Sequence, residues 1–309
     1  MVRKEFIAVK TPQKKQCLAD NVFDVFTWVV LTIVLLLIVY PLLYTVSASF
    51  SDPKAVNSGR MWLLPVGFTL EGYQRIFDYA DFWMGFLNTI DYTIWGTFLS
   101  LATVLMYGYA LSRKDLVGRR FFSIVILVTM FFNGGVVTTY IVIKNLKLLD
   151  TRFIMYVCGM GSAYYILVCR TFFMTSIPDA LCEAATIDGC SNWKLFIHIV
   201  LPLSRALIVV MIMFLAVTRW NWYFWPMILL KERSRYTLQI ILKEILIQSQ
   251  MSASMMSSGV GFVEIQRQAE IAQMVKFAVI IASCLPMMIV YPFLQRYFEK
   301  GVMIGAVKG

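Results

Sequence analysis

Residues 25–51, VFTWVVLTIVLLLIVYPLLYTVSASFS, contain no charged side chain. An α-helix rises about 1.5 Å per residue, so roughly 20 apolar residues cross the hydrocarbon of a bilayer and this run spans with length to spare. It exceeds a signal-peptide core, and no small-residue cleavage site follows it, so it is expected to be a retained first span. The 24 residues before it carry five Lys/Arg, which favours a cytoplasmic start.

Five more apolar runs follow, at 83–111, 121–143, 153–169, 206–230 and 277–295. Asp91 is the one charge in the second and Arg219 the one charge in the fifth. The fold class is therefore all-α and integral to the membrane, with six transmembrane helices and both termini on one side. The intervening segments 1–24, 112–120, 170–205 and 296–309 hold 15 Lys/Arg, against 12 in 52–82, 144–152 and 231–276. The margin is small, but the first span and the dense turn RKDLVGRR (113–120) both point to cytoplasmic termini. The expected organisation is a cytoplasmic segment 1–24, a transmembrane domain 25–295 with an outer loop at 231–276, and a cytoplasmic tail 296–309.

Composition agrees. Of 309 residues 59% are hydrophobic and 15% charged, where a soluble domain has about 25%. The net charge of +10 is spread over loops and span ends rather than along an aromatic-rich soluble face, so no nucleic-acid partner is expected. No cysteine falls in an expected outer loop, which excludes a disulfide framework. With one histidine, His198, and no Cys/His cluster, neither a metal site nor His-based catalysis is expected.

One segment breaks the pattern. Between the fourth and fifth spans, residues 176–202 are helix-like yet too polar for lipid. Ser176 and Asp179 suit a helix start and Pro178 a first turn. Ile177, Ala180, Leu181, Ala184 and Ala185 form an apolar face opposite Asp179, Glu183 and Asp188. Gly189 is a natural stop, Ser191 a cap for a second short helix, and Pro202 its end. The product is a cytoplasmic helix–Gly–helix, suited to docking in a partner's groove or to connecting two spans.

The pattern Glu183-Ala184-Ala185-x-x-Asp188-Gly189, with Leu201-Pro202 beyond it, resembles the EAA loop of membrane subunits of bacterial ABC importers. Residues 88–122 are similar to carbohydrate permeases of the maltose type. The stretches FFNGGVVTTYIVIKNLKLLDT and YPFLQRYFEKGVMIGAVKG resemble a subgroup handling polysaccharide fragments and complex oligosaccharides. Asp91 and Cys190 depart from the family pattern. The resemblance implies the type I ABC importer permease fold in a bacterial cytoplasmic membrane. It also implies that Glu183, Ala184, Ala185, Asp188, Gly189, Leu201 and Pro202 couple to an ATPase. The implied partners are a second homologous permease, two ATP-binding subunits, an extracellular solute-binding protein docking on 52–82 and 231–276, an oligosaccharide and membrane lipid.

No Gly-Lys-Ser/Thr phosphate-binding loop occurs. The chain is expected to be no enzyme by itself and to hold no cofactor, with ATP and Mg bound by partner subunits. For the substrate path, TRWNWYFWP (218–226) offers Arg219, Trp220, Asn221, Trp222 and Tyr223. A charge inside a span is functional by default, and aromatic faces with an amide suit sugar rings. The same residues suit an aromatic belt at the outer interface, with Pro226 kinking the helix. Asn133-Gly134-Gly135 is a packing point or an unwound turn, and Asp91 is a candidate ion-pair partner for Arg219. YTLQIILKEILIQ (236–248) is an amphipathic helix, lying on the outer leaflet or facing a partner, and 249–261 is a flexible stretch. The alternatives are an ion-coupled secondary transporter, for which Asp91 speaks, and an ABC permease for a non-sugar solute.

Overall fold

The computed structural model describes residues 18–256, 272 and 274–292, and among them it is helical with no strand. Two compact units divide the chain, Met1–Phe68 and Thr69–Gly309.

In the first unit, α1 (Leu18–Ser49) contains all but the last two residues of the charge-free run. Trp28 and Leu37 are 72% and 70% exposed, as befits a surface that lipid or another membrane helix covers. α2 (Pro53–Asn57) starts where Asp52 accepts the Lys54 N–H, with Pro53 in the first turn. The following loop folds back: Ser47 Oγ donates to the Leu63 carbonyl, the Val66 N–H donates to Ser51 Oγ, and Phe50 stacks on Phe68.

The second unit is built around α4 (Ala80–Ser112), preceded by the short α3 (Glu71–Asp78). Hydrophobic burial alone does not hold helices together in lipid, so close approach at small residues matters. α4 supplies three such places. A Cβ on Gly85 would lie 2.4 Å from Ile241 Cδ1 and 3.1 Å from the Leu238 backbone nitrogen. One on Gly108 would lie 2.6 Å from Cys169 Cβ, and Gly96 faces the Arg219 guanidinium.

α5 (Arg119–Phe131) and α6 (Gly135–Asn145) meet at 114°, so the run at 121–143 is a broken span rather than one straight helix. The break is chemical: the Asn133 side-chain oxygen accepts the Gly135 N–H, and Gly135 has φ +75°, a conformation glycine adopts freely. Asn133-Gly134-Gly135 is thus an unwound turn. The run at 153–169 is also divided, into α7 (Arg152–Val157), capped by Thr151, and α8 (Ala163–Ser176).

Beyond α8 come α9 (Asp179–Ile187), α10 (Asn192–Leu195), a π-turn at Phe196–Val200 and α11 (Leu201–Leu203). α12 (Arg205–Trp220) ends before Asn221, so the expected span 206–230 is interrupted at 221–223 and resumes as α13 (Phe224–Leu229). α14 (Leu238–Met256) and the helix α15, Met274–Pro292, complete the unit.

α1, α4 and α15 are each long and apolar enough to cross a membrane, and counting each bent pair as one span raises the number to six. The helix expected at 236–248 buries Leu238, Ile241 and Leu242 rather than laying that face on lipid; Leu238 and Leu242 pack with Phe82, Trp220, Ala278 and Val279. α14 continues to Met256 through part of the stretch expected to be flexible; 257–261, most of the segment 1–24 and the tail 296–309 lie outside the described residues.

Candidate functional site

Two places carry the candidate residues. At the first, α9 leaves α8 at 79°, and the arm Asn192–Leu203 meets α12 at 83°. The polar segment therefore turns nearly at right angles from both flanking helices. α9 begins at Asp179, after Pro178, and no side chain caps it, so the expected Ser176 cap is not formed. Its end is as expected: Gly189 has φ +74°, and the Cys190 N–H donates to the Ala185 carbonyl. Nothing lies within 4 Å of the position of a Cβ on Gly189, so backbone conformation, not crowding, selects glycine.

Ser191 then caps the second arm through the Lys194 N–H. Pro202 does not end that arm. The helix widens to a π-turn over Phe196–Val200 and continues to Leu203, and Ser204 makes the bend. Pro202 has no N–H to donate to the preceding turn, and widening there accommodates that loss.

The buried face of α9 is narrower than its sequence periodicity suggests. Cys182 and Ala185 pack with Leu195, Phe196, Val200 and Phe173, while Glu183, Ala184, Ile187 and Asp188 are exposed. Ile187 is 86% and Trp193 61% exposed. The outward surface is thus small and apolar at Ala184, bulky at Ile187 and Trp193, and acidic at Glu183 and Asp188.

This segment is joined to α4 and to the turn that follows it, one contact each, neither of which the sequence alone singled out. Lys114 Nζ pairs with Asp179 at 2.5 Å, and the Tyr109 ring stacks on Phe196 with centroids 4.9 Å apart. Beside them Arg113 pairs with Asp115 and holds its carboxyl below the usual carboxylate range. A groove of about 790 Å³ runs between these elements, lined by Tyr109, Arg113, Lys114, Asp179 and Glu183.

The second place is the α12–α13 junction. Arg219 is 8% exposed and donates to the Met155 carbonyl at 2.8 Å, the Ser100 hydroxyl at 3.1 Å and the Tyr156 carbonyl at 3.4 Å. The two carbonyls belong to the last turn of α7, where helix termination leaves acceptors free. Trp222 lies under the guanidinium, 4.6 Å from Cζ to ring centroid.

Arg219 and Asp91 do not pair with each other. Asp91 accepts the Tyr156 hydroxyl at 2.6 Å, while the Tyr156 backbone carbonyl serves Arg219, so opposite ends of one tyrosine occupy the two charges. Trp220 is buried, and its indole N–H donates to the Ser283 carbonyl. Asn133 lies at the α5–α6 turn and is exposed.

Trp220, Asn221 and Tyr223 line a cavity of about 900 Å³ between α12, α14 and α15. Gln239, Lys243 and Tyr291 line it too. These three were not anticipated, although the single lysine in the apolar run QIILKEILI was a usable signal. Nearby, the α6–α7 loop fastens the segment after α13. Burial opposes charge on Asp150, but the Lys231 and Glu232 N–H groups and Arg235 outweigh it and hold its carboxyl low.

Residues 112–304 match the family described as binding-protein-dependent transport system inner membrane component. The chain belongs to that family. This permease is 34% identical over 94% of its length, and 99% of the relative's, to the polygalacturonan/rhamnogalacturonan transport system permease protein YtcP of Bacillus subtilis. It is 27% identical over 88% of its length, and 91% of the relative's, to the arabinooligosaccharides transport system permease protein AraQ of Halalkalibacterium halodurans. Among solved structures, a chain of a bacterial ABC transporter involved in the import of the acidic polysaccharide alginate matches with a TM-score of 0.81 and 32% identity, over 93% of this permease and all of that chain.

The fold is thus that of a type I ABC importer permease, and the protein is a multi-pass component of a bacterial plasma membrane. It is a transport subunit, not a catalyst: ATP is hydrolysed by partner subunits, and the importer further comprises another permease and a binding protein. An ion-coupled secondary transporter is set aside by this membership.

Proposed function

We propose that this permease carries oligosaccharides and is driven through the helix–Gly–helix at 176–202. The observation that supports the drive is the geometry of α9: it leaves α8 at nearly a right angle and turns Glu183, Ala184 and Asp188 outward. An exposed short helix with a small-residue centre fits a groove in another protein. Gly189, Ala185, Leu201 and Pro202 hold its shape. Two ATP-binding subunits, which bind ATP and Mg, grip this segment from the cytosol. Closure of their dimer moves α4 through the contacts at Lys114 and Tyr109.

The cavity at Trp220, Asn221 and Tyr223 lies on the cargo path, completed by a second homologous permease. At about 900 Å³ it is near the top of the ~300–1,000 Å³ range of small-molecule sites. Arg219 and Trp222 hold α12 to α7 behind it, and Asn133 stands apart at the α5–α6 turn. Both termini are cytoplasmic, flanking the transmembrane domain 25–295, and segments 52–82 and 231–276 receive the extracellular binding protein. Carbohydrate cargo is supported by relatives named for polygalacturonan/rhamnogalacturonan, arabinooligosaccharides and alginate.

The test is ATPase activity of the assembled complex in nanodiscs, with binding protein empty or loaded with oligosaccharide. Loaded binding protein is expected to stimulate hydrolysis in the wild type and not in Glu183→Ala/Gly189→Pro, with subunit stoichiometry unchanged. Normal stimulation of the assembled double variant would sink the coupling role of this segment.

A further inference from the structure

The cavity between α12, α14 and α15 holds one charged side chain among its described lining residues, Lys243, and no carboxylate. Gln239, Lys243 and Leu246 recur at helical spacing on the α14 face that lines it. The rest of the helix is fixed, because Leu238 and Ile241, which do not line the cavity, are buried. α14 therefore cannot roll to carry the ammonium elsewhere without exposing that core.

Among the described residues no carboxylate pairs with Lys243. Its Nζ lies 5.2 Å from the Tyr223 ring centroid and 3.4 Å from Met227 Sδ. Glu244 and Asp81 are engaged with Arg233, and Glu232 with Arg235. A cation against an apolar wall favours an anion more than one in open water does, because the surrounding medium screens less. Uncharged groups converge with it. Asn221 donates one amide N–H to the Val217 carbonyl, leaving its side-chain oxygen without a partner among the described residues. Gln239 has no hydrogen-bond partner there either, and Tyr223 is 46% exposed.

We propose that Lys243 is a specificity-determining residue that receives a carboxylate of the cargo, so that this cavity selects oligosaccharides containing uronic acid units. The proposal rests on the oligosaccharide reading above. Tyr223 offers an apolar face for a sugar ring, Asn221 and Gln239 serve hydroxyls, and the ammonium pairs with the carboxylate. A neutral sugar of the same size fills the cavity but leaves Lys243 without a counter-charge.

The experiment is uptake by the complete importer in proteoliposomes with its binding protein, using trigalacturonate and its methyl ester as cargo. The ester keeps the sugar and removes the charge, and the variant-to-wild-type ratio for each cargo cancels the selectivity of the binding protein. Lys243→Gln is expected to slow trigalacturonate uptake about tenfold, the scale of one charged hydrogen bond, and ester uptake less than about twofold. Lys243→Arg is expected to preserve both. Where the ester is not carried at all, the Gln-against-Arg contrast on the acid decides in the same sense.

Equal slowing of both cargos, or no change in either, overturns the proposal and leaves Lys243 a membrane-interface lysine, with the oligosaccharide reading intact. A wild type that carries the ester alone has the same consequence. A wild type that carries neither these sugars nor neutral oligosaccharides overturns the oligosaccharide reading itself, and the proposal with it.

Discussion

Arg219 shows how a full charge is kept inside a membrane-spanning unit without a carboxylate beside it. Two backbone carbonyls from the end of α7, one hydroxyl and an indole face share the guanidinium, and Gly96 gives it room. A lysine has neither the planar fork nor the reach to meet these partners together. Arg219→Met keeps volume but abandons the Met155 and Tyr156 carbonyls, and is expected to cost about 2–3 kcal/mol. Gly96→Ala places a Cβ 3.1 Å from Cζ and Nε and is expected to destabilise through the same contact. If Gly96 matters only because of Arg219, the double variant loses less than the sum of the two. Thermal unfolding of the complex in nanodiscs measures all three, and strict additivity would separate the residues.

At the scale of elements, α4 packs against α7, α8, α12 and α14, and the contacts that it and the turn after it make near α9 are unequal. The Lys114–Asp179 pair is 75% and 67% exposed, and such pairs contribute about 0–1 kcal/mol. The Tyr109–Phe196 stack also closes against Phe173 and carries more. The Tyr109 hydroxyl is buried with no partner among the described residues, so the ring alone does the holding. Tyr109→Phe is therefore expected to leave stimulated ATPase activity unchanged or slightly raised. Tyr109→Ala is expected to lower it about tenfold or more with assembly retained, because loss of a packed ring loosens the joint by about 2–3 kcal/mol. Lys114→Ala is expected to change it less than twofold. A Tyr109→Ala complex with normal coupling would mean that α9 drives the unit by another route.

These contacts also mark what could be foreseen. Gly189 and Ser191 declare themselves because capping chemistry is local, needing only neighbours in sequence. The break at Asn133-Gly134-Gly135 was half visible for the same reason. The stack of Tyr109 on Phe196 joins residues 87 positions apart, and nothing in either neighbourhood signals it. Asp91 and Arg219 mislead in the opposite way. Two lone charges in apolar runs invite pairing, yet backbone carbonyls at a helix end, which have no sequence signature, satisfy the arginine.

For the whole molecule, hydropathy sees the six crossings but not their breaks, because an apolar run stays apolar whether its helix is straight or bent. The sidedness of the two polar regions rests on weaker signals: the Lys/Arg bias of the loops, and the perpendicular α9, which needs a cytosolic partner. Both demand that Lys194 and Lys231 lie on opposite faces of the membrane. In a background with the six native cysteines replaced, Lys194→Cys is expected to react with an impermeant maleimide only after the cells are opened. Lys231→Cys, beside the Asp150 latch, is expected to react in intact cells. Lys231→Cys shows that the reagent reaches the outer face of intact cells, and the label gained on Lys194→Cys only after opening shows that this cysteine is reactive. Labelling of both in intact cells, or of neither, would refute an odd number of crossings between them. The coupling segment and the surface assigned to the binding protein would then face the same compartment, which no importer of this kind can use.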